Sequence, residues 1–232
     1  MEKVKLSRRL AAIAALVPRG SVCIDVGTDH GYVPAWLIQN GVCPRALASD
    51  INAGPLDSAR RTARAAGTAG KTEFLLCAGL DACPVNGADA IVIAGMGGET
   101  IAAILEAAPW TRNGARLILQ PQSRPELLRR WLTENGYVIT RELLVEDGRI
   151  YQLLTARGGA STAGYSQAEY HLGAFGQISA SELFPRYLEA ELCRAEKAIS
   201  GLLSSRTPDM TRLEALRELL AQYAEMKERL GK

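Results

Sequence analysis

The ten residues Val22-Cys-Ile-Asp-Val-Gly-Thr-Asp-His-Gly31 constrain the fold more than any other stretch. Their β-branched start reads as a short strand that is apolar on both faces, as at the centre of a parallel sheet with helices on either side. The strand ends at Asp25, and Gly27 lets the backbone turn sharply. Gly31 and Pro34 sit at the start of the following helix, where proline's missing N–H costs nothing. A strand, a glycine turn and a helix N-terminus form a cradle whose free N–H groups face whatever lies over the turn. An ordinary tight turn between a strand and a helix has the same pattern, so the cradle alone specifies no ligand.

Charge narrows the choice. Dinucleotide folds use Gly-x-Gly-x-x-Gly, so that bare backbone can approach a pyrophosphate. Here the spacing is Asp25-x-Gly27-x-Asp29-x-Gly31, which sets a carboxylate where the diphosphate would lie. That opposes an anion and suits a cation such as S-adenosylmethionine, which carries a sulfonium and an amino group and no phosphate. The pattern resembles motif I of the class I methyltransferases. Asp50 closes the second strand, Arg45–Asp50, 25 residues past Asp25. An acid there typically accepts from a ribose diol; its alternative role is to cap the helix that starts near Gly54.

Further strands are expected at 73–77, 88–94 and 115–119, with helices at 33–40, 56–66, 100–108 and 126–134. Gly95-Met-Gly-Gly98 reads as an opening after the fourth strand, where three glycines let a backbone or flat ring come close. Glu146-Asp147-Gly148 between two β-rich runs, 137–145 and 149–155, predicts a hairpin. Five strand–helix units followed by an antiparallel hairpin predict an α/β fold with the Rossmann-like sheet of class I methyltransferases. The small, polar run 157–164 sets a boundary, giving domains 1–157 and 158–232. In the second, Leu188, Leu192, Ala195, Ile199 and Leu202 form one amphipathic stripe, and Leu213, Leu216, Leu220 and Tyr223 another. Joined at Thr207-Pro-Asp, they predict an antiparallel helical hairpin.

Composition sets limits on partners. Net charge is +2, with 27 Lys/Arg against 25 Asp/Glu, and the surplus lies in residues 1–157. Five scattered cysteines without Cys-x-x-Cys spacing, beside only two histidines, argue against a metal site and for a reducing cytoplasmic setting. The apolar run 10–17 is too short to span a bilayer and reads as a surface helix, with Lys3, Lys5, Arg8 and Arg9 exposed at its start. No membrane is expected, and a monomer is the simplest state because the two C-terminal stripes can satisfy each other.

A family resemblance rests on particular residues: Leu6-Ser-Arg-Arg-Leu10, Asp25-Val-Gly-Thr-Asp-His30 with Tyr32 and Pro34, Ala94-Gly-Met-Gly-Gly98, Leu117-Ile-Leu-Gln-Pro121, Gly54-Pro55 with Ser58-Ala59, and Glu146-Asp147-Gly148. Through them the chain resembles the TrmK-type tRNA (adenine-N1)-methyltransferases over nearly all of residues 1–156. The resemblance implies transfer of a methyl group from S-adenosylmethionine to N1 of adenine 22 of tRNA. It implies a cofactor site at Asp25, Gly27, Gly31, Tyr32, Asp50, Ile51, Ala78, Gly79, Leu80, Ala94, Gly95 and Met96. One departure stands out: the family usually has Gly-Asp-Gly-Leu after the third strand, where this chain has Cys77-Ala-Gly-Leu80. The cofactor's adenine must then rely on backbone near Ala78–Leu80 or on Asp81.

Adenine N1 already carries a lone pair, so orientation of the base matters more than a strong general base. Ala-Gly-Met-Gly-Gly stands where exocyclic-amine methyltransferases often carry Asn-Pro-Pro-Tyr, which also favours a ring nitrogen. Asp29 is the first candidate for a catalytic role, as an acceptor from adenine N6 or a counter-charge; a helix N-cap is its structural alternative. His30 could stack or hydrogen-bond near the target, or equally be a packed histidine. For RNA the candidates are Lys5, Arg8, Arg9, Arg60, Arg61, Arg64, Arg124, Arg129 and Arg130, recognising folded tRNA by shape and charge. Competing readings are a methyltransferase for another RNA site, a small molecule or a protein, a nicotinamide-dependent oxidoreductase, and an inactive RNA-binding scaffold.

Overall fold

A computed structural model describes every residue except 86, 161–163, 206, 208 and 232. It divides into two compact units, Met1–Ala163 and Gly164–Lys232. The first holds α1 (Arg8–Ala15), β1 (Cys23–Val26), α2 (Tyr32–Gln39), β2 (Ala46–Asp50), α3 (Ala53–Ala66), β3 (Thr72–Leu76), β4 (Ala90–Gly97), α4 (Gly98–Ala107), β5 (Arg116–Ser123), α5 (Pro125–Glu134), β6 (Tyr137–Asp147) and β7 (Arg149–Gly158). The strands form one sheet in the order β3-β2-β1-β4-β5-β7-β6. The first five are parallel, and β7 runs antiparallel to both its neighbours. Five parallel strands and an antiparallel hairpin make the expected methyltransferase sheet, and β1 lies in its centre with all four residues buried.

The period of two divides the strands' side chains between two layers. Cys23, Ala90, Val92, Ile118 and Leu153 join a buried cluster with Ile13 and Ala14 of α1 and Val33 and Leu37 of α2. Ile91, Ile93, Leu117 and Leu119 alternate with these and are also wholly buried; α4 and α5, which pack against β4, β5 and each other, cover that side. The run 10–17 reads as a surface helix with Arg9 exposed at its start, but Arg9 is half-buried. The helix, α1, begins at Arg8, capped by the Ser7 hydroxyl, and buries one face through Ile13 and Ala14 in the core.

β4 to β7 all run further than their sequence suggests. β4 continues through Gly95-Met-Gly97, with register shifts against β5 at Met96, so these residues form an irregular strand end and not an open loop. β5 continues through Gln120-Pro-Gln-Ser123. The Gly98 backbone lies against the Arg124 carbonyl with no room for a Cβ, so this glycine serves the close approach of α4 to the start of α5. Gly158, read as the beginning of a linker, lies in the same way against the Arg112 carbonyl and ends β7.

The second unit holds α6 (Gln167–Leu172), α7 (Phe175–Ile178), α8 (Phe184–Leu203) and α9 (Met210–Leu230). α8 and α9 pack together. α8 buries Phe184, Leu188, Leu192 and Ala195, close to the expected stripe. α9 buries Leu213 and Tyr223 of the expected stripe together with Leu219 and Met226, while Leu216 and Leu220 are only half-buried. Pro208 of the expected turn and residues 161–163 of the expected linker lie outside the described residues.

Candidate active site

The site is built where β1's neighbours diverge: β2 leaves to one side, β4 to the other, and the carboxyl ends of the strands open a crevice between them. A cleft of about 290 Å³ lies there, lined by Asp25, Gly27, Asp29, Ala94, Gly95 and Gln122 among others. Gly27 (φ 66°) and Gly95 (φ 81°) both adopt the left-handed conformation that side chains disfavour. The Met96 side chain lies on Gly27 where a Cβ would stand, whereas Gly95 faces open space.

Asp25 is the deepest acid, 6% exposed. The Thr28 hydroxyl, itself buried, donates to its Oδ2 at 2.6 Å. Burial raises the Asp25 pKa to about 7; the Thr28 bond opposes the shift and the nearby Asp50 charge adds to it. An acid so placed shares a proton with solvent near neutrality and gains from a cation set above it. Asp50, at the end of β2, accepts from the Asn52 N–H at 2.9 Å and from the Asp29 N–H at 3.5 Å. Asn52, and not Asp50, is the N-cap of α3.

Asp29 holds φ 51°, a left-handed conformation that aspartate tolerates better than most residues. Its side chain is 71% exposed. The helix-cap alternative fails, since the N-cap of α2 is Gly31, without a side-chain bond. His30 Nε2 stands 3.6 Å from Asp29 Oδ2, and the His30 and Tyr32 rings are 5.5 Å apart. The packed alternative for His30 fails as well, because half of its side chain is exposed. Asp29, His30 and Tyr32 thus form one exposed rim of the cleft.

The other expected cofactor residues stand elsewhere on the same edge. Gly31 is buried against Ala59 of α3 and shapes the turn without lining the cleft. Asp50, Ile51, Ala78, Gly79 and Leu80 lie at the ends of β2 and β3, on the other side of β1, outside the cleft. Ile51 is 69% exposed and Ala78 is exposed, while Leu80 is buried. The Gly79 carbonyl accepts from Ser49 Oγ at 3.2 Å, fixing the turn. Met96 is half-buried over Gly27.

The nine basic candidates do not form one patch. Arg129 is a correction: it is 1% exposed, with Nε donating to Glu142 Oε1 at 2.6 Å and Nη2 to Gln152 at 2.5 Å, so no phosphate can reach it. Arg60 lies over the Phe74 ring and pairs with Asp57, and Arg124 stands 3.8 Å from Glu99. Arg130 is half-buried beside Trp131, in a groove between α4 and α5. Lys5, Arg8, Arg61 and Arg64 are exposed. Arg9 is half-buried and turns into the cleft, donating from Nη1 to Gln120 Oε1 at 2.9 Å. Thr28 and Gln122 escaped the sequence reading. A Thr three residues after a strand-end acid was a usable signal; Gln122 was hidden because its segment reads as loop.

The chemistry of these groups fits a cationic adenosyl ligand: a buried acid under a glycine turn, a second acid at the neighbouring strand end, and an exposed apolar surface around Ile51 and Ala78. It fits a pyrophosphate poorly, since Arg9 is the only Lys or Arg lining the cleft among the described residues. No group of three or more metal-ligating side chains occurs among them.

Residues 6–154 match the family model described as Methyltransferase domain. The chain is 39% identical over 167 residues to the Bacillus subtilis tRNA (adenine(22)-N(1))-methyltransferase, spanning 71% of this chain and 70% of that one. The crystal structure of the B. subtilis m1A22 tRNA methyltransferase TrmK superposes with a TM-score of 0.87 at 30% identity, covering 97% and 99% of the two chains. A Streptococcus pneumoniae structure in complex with S-adenosyl-L-methionine gives 0.84 at 29% identity, covering 96% and 100%. With its sheet order, its acid-bearing glycine turn and these relatives, the chain belongs to the TrmK family of tRNA (adenine(22)-N(1))-methyltransferases.

Proposed function

We propose that the protein transfers a methyl group from S-adenosylmethionine to N1 of adenine 22 in tRNA. The observation that carries this reading is the buried Asp25 beneath the Gly27 turn, with Asp29 on the rim of the same cleft. When bound, S-adenosylmethionine supplies an electrophilic methyl on a cationic sulfur. Asp25 offsets the positive charge of the cofactor's methionyl end. Asp50 accepts from the ribose diol, and Ile51 with the backbone of Ala78–Leu80 holds the adenine ring that an acid at position 78 would otherwise help bind. Gly95 keeps the approach to the sulfur open, and Tyr32 closes one side.

The target adenine leaves its stack and enters between the rim and Gln122. Its N1 lone pair forms the new N–C bond as the C–S bond breaks, so no proton need leave first. Asp29 accepts from N6–H and balances the positive charge that N1-methylation leaves on the ring; His30 stacks on or bonds to the base. Most of the rate comes from holding nucleophile, methyl and sulfur in line.

The five cysteines are all free thiols and no described helix is long and apolar enough to cross a membrane, which supports a reducing cytoplasmic setting. A division into a catalytic and a helical domain, read from sequence at 157/158 but falling beyond Gly158 because that residue ends β7, and action as a single copy, belong to the same reading. The test is incubation with labelled S-adenosylmethionine and unmodified bacterial tRNA, followed by nucleoside analysis. N1-methyladenosine is the expected product. Label in N6-methyladenosine, or none, contradicts the reading.

A further inference from the structure

At the mouth of the cleft α1 is fastened to the β6–β7 hairpin. Asp147, the last residue of β6, accepts from the Arg9 N–H at 3.1 Å and from the Ser7 hydroxyl, and these bonds hold its carboxyl below the usual range. The fastening places two guanidinium groups on one aromatic ring. Arg9 lies 5.4 Å and Arg149 4.7 Å from the Tyr151 centroid. Arg9 donates to Gln120 Oε1 and Arg149 to Gln122 Oε1, so both side-chain amides take their orientation from a cation that can only donate. Gln122 lines the cleft, which puts the pair of arginines directly at its entrance.

Neither guanidinium lies within ion-pair distance of a carboxylate among the described residues. Arg149 is exposed, and Arg8, also exposed, lies beside them. The turn carries Glu146 and Asp147 as well; the Asp147 carboxylate, held by the Ser7 hydroxyl and the Arg9 backbone, also feels the charges of Arg9 and Arg8 and so offsets part of them, while Arg149 is not among the charges acting on it. Two like charges held against one ring repel each other, and the neutral amides that receive their hydrogen bonds do not cancel that charge. An oxyanion brought to the cleft mouth would, through charge-assisted bonds from planar forks suited to phosphate.

We infer that Arg9, Tyr151 and Arg149 form a ledge that takes a backbone phosphate of the substrate RNA beside the adenine entering the cleft. This rests on the tRNA reading above and adds Arg149 and Tyr151 to it. A flipped base needs its flanking backbone held while the base leaves the stack, and a phosphate site at the cleft mouth does so without reading sequence. The ring keeps both guanidiniums extended over the entrance, which lowers the ordering cost of gripping the phosphate. A carboxylate of the cofactor offers related chemistry, and the experiment separates the two.

The test compares wild type with Arg149→Ala and Arg149→Lys, measuring binding of an unmodified tRNA transcript over a salt series and, separately, of S-adenosylmethionine. Arg149 is exposed, so its removal leaves the core intact. For Arg149→Ala we expect about tenfold weaker tRNA binding and a salt slope smaller by roughly one, with cofactor affinity unchanged. Arg149→Lys should restore most of the slope. An unchanged tRNA affinity and slope overturns the ledge, and so does a loss that falls on S-adenosylmethionine instead. A wild-type protein that neither binds nor methylates the transcript counts against the tRNA reading itself, and the variants are then not needed.

Discussion

Asp25 carries the most informative chemistry in the cleft. Its pKa of about 7, raised by burial from the ordinary aspartate value of 3.8, means that folding favours its neutral form. For an acid raised in this way, the fold is most comfortable below pH 3.8, and loses stability as pH climbs from there to about 7. A cationic ligand favours the ionised form, so S-adenosylmethionine should bind more tightly as pH rises through 7. Replacing Asp25 by Asn should flatten that dependence, measured by calorimetry between pH 6 and 8. The same variant, without ligand, should melt higher than wild type at pH 8, with the gap closing at acid pH. Cofactor affinity that ignores pH in the wild type would remove Asp25 from the account. Its two neighbours separate binding from chemistry. Asp50→Ala should weaken the cofactor tenfold or more, the cost of a charged hydrogen bond of about 1.5–3 kcal/mol. Asp29→Ala should collapse turnover while cofactor affinity falls only modestly.

Among the elements, α5 shows how a basic residue can mislead. Arg129 belongs to Arg129-Arg130 on a helix that reads as surface, yet it reaches through the helix's buried face to Glu142 of β6 and Gln152 of β7. Removing one partner of a buried pair leaves the other charged and desolvated. Arg129→Ala should therefore cost about 3–5 kcal/mol, read from urea unfolding, with no change in the salt slope of tRNA binding. The β1 turn, the alternation of strands and helices and the Asp147-Gly148 hairpin were legible because each rests on local rules: β-branched runs, glycine at positive φ, an acid at a strand end. What escaped the sequence depends on distant partners. Gln120–Ser123 continue β5 because β4 runs beside them, and Gly98 and Gly158 are glycines because the Arg124 and Arg112 carbonyls lie against them. In α9, packing buries Leu219 and Met226 where the spacing pointed to Leu216 and Leu220. In the site, Asp25, Gly27, Asp29 and Asp50 were readable from spacing, whereas Gln122 and the inward turn of Arg9 required the fold.

Over the whole molecule, net charge of +2 is too small to dictate a polyanionic partner, and placement matters more. The positive surplus lies in residues 1–157, the part that also carries the cleft. If about six phosphates are contacted there, raising salt from about 50 to 200 mM should weaken tRNA binding about a thousandfold, while cofactor affinity changes little. A flat salt response would point to a small-molecule or protein substrate. The central claim is that this cleft delivers a methyl group to one adenine of a folded tRNA. Its most direct measurement is methyl incorporation into two tRNA transcripts that differ only at position 22, one with adenine and one with guanine. The account predicts label in the adenine transcript, recovered as N1-methyladenosine, and none in the other. Equal label in both, or label in neither, contradicts it.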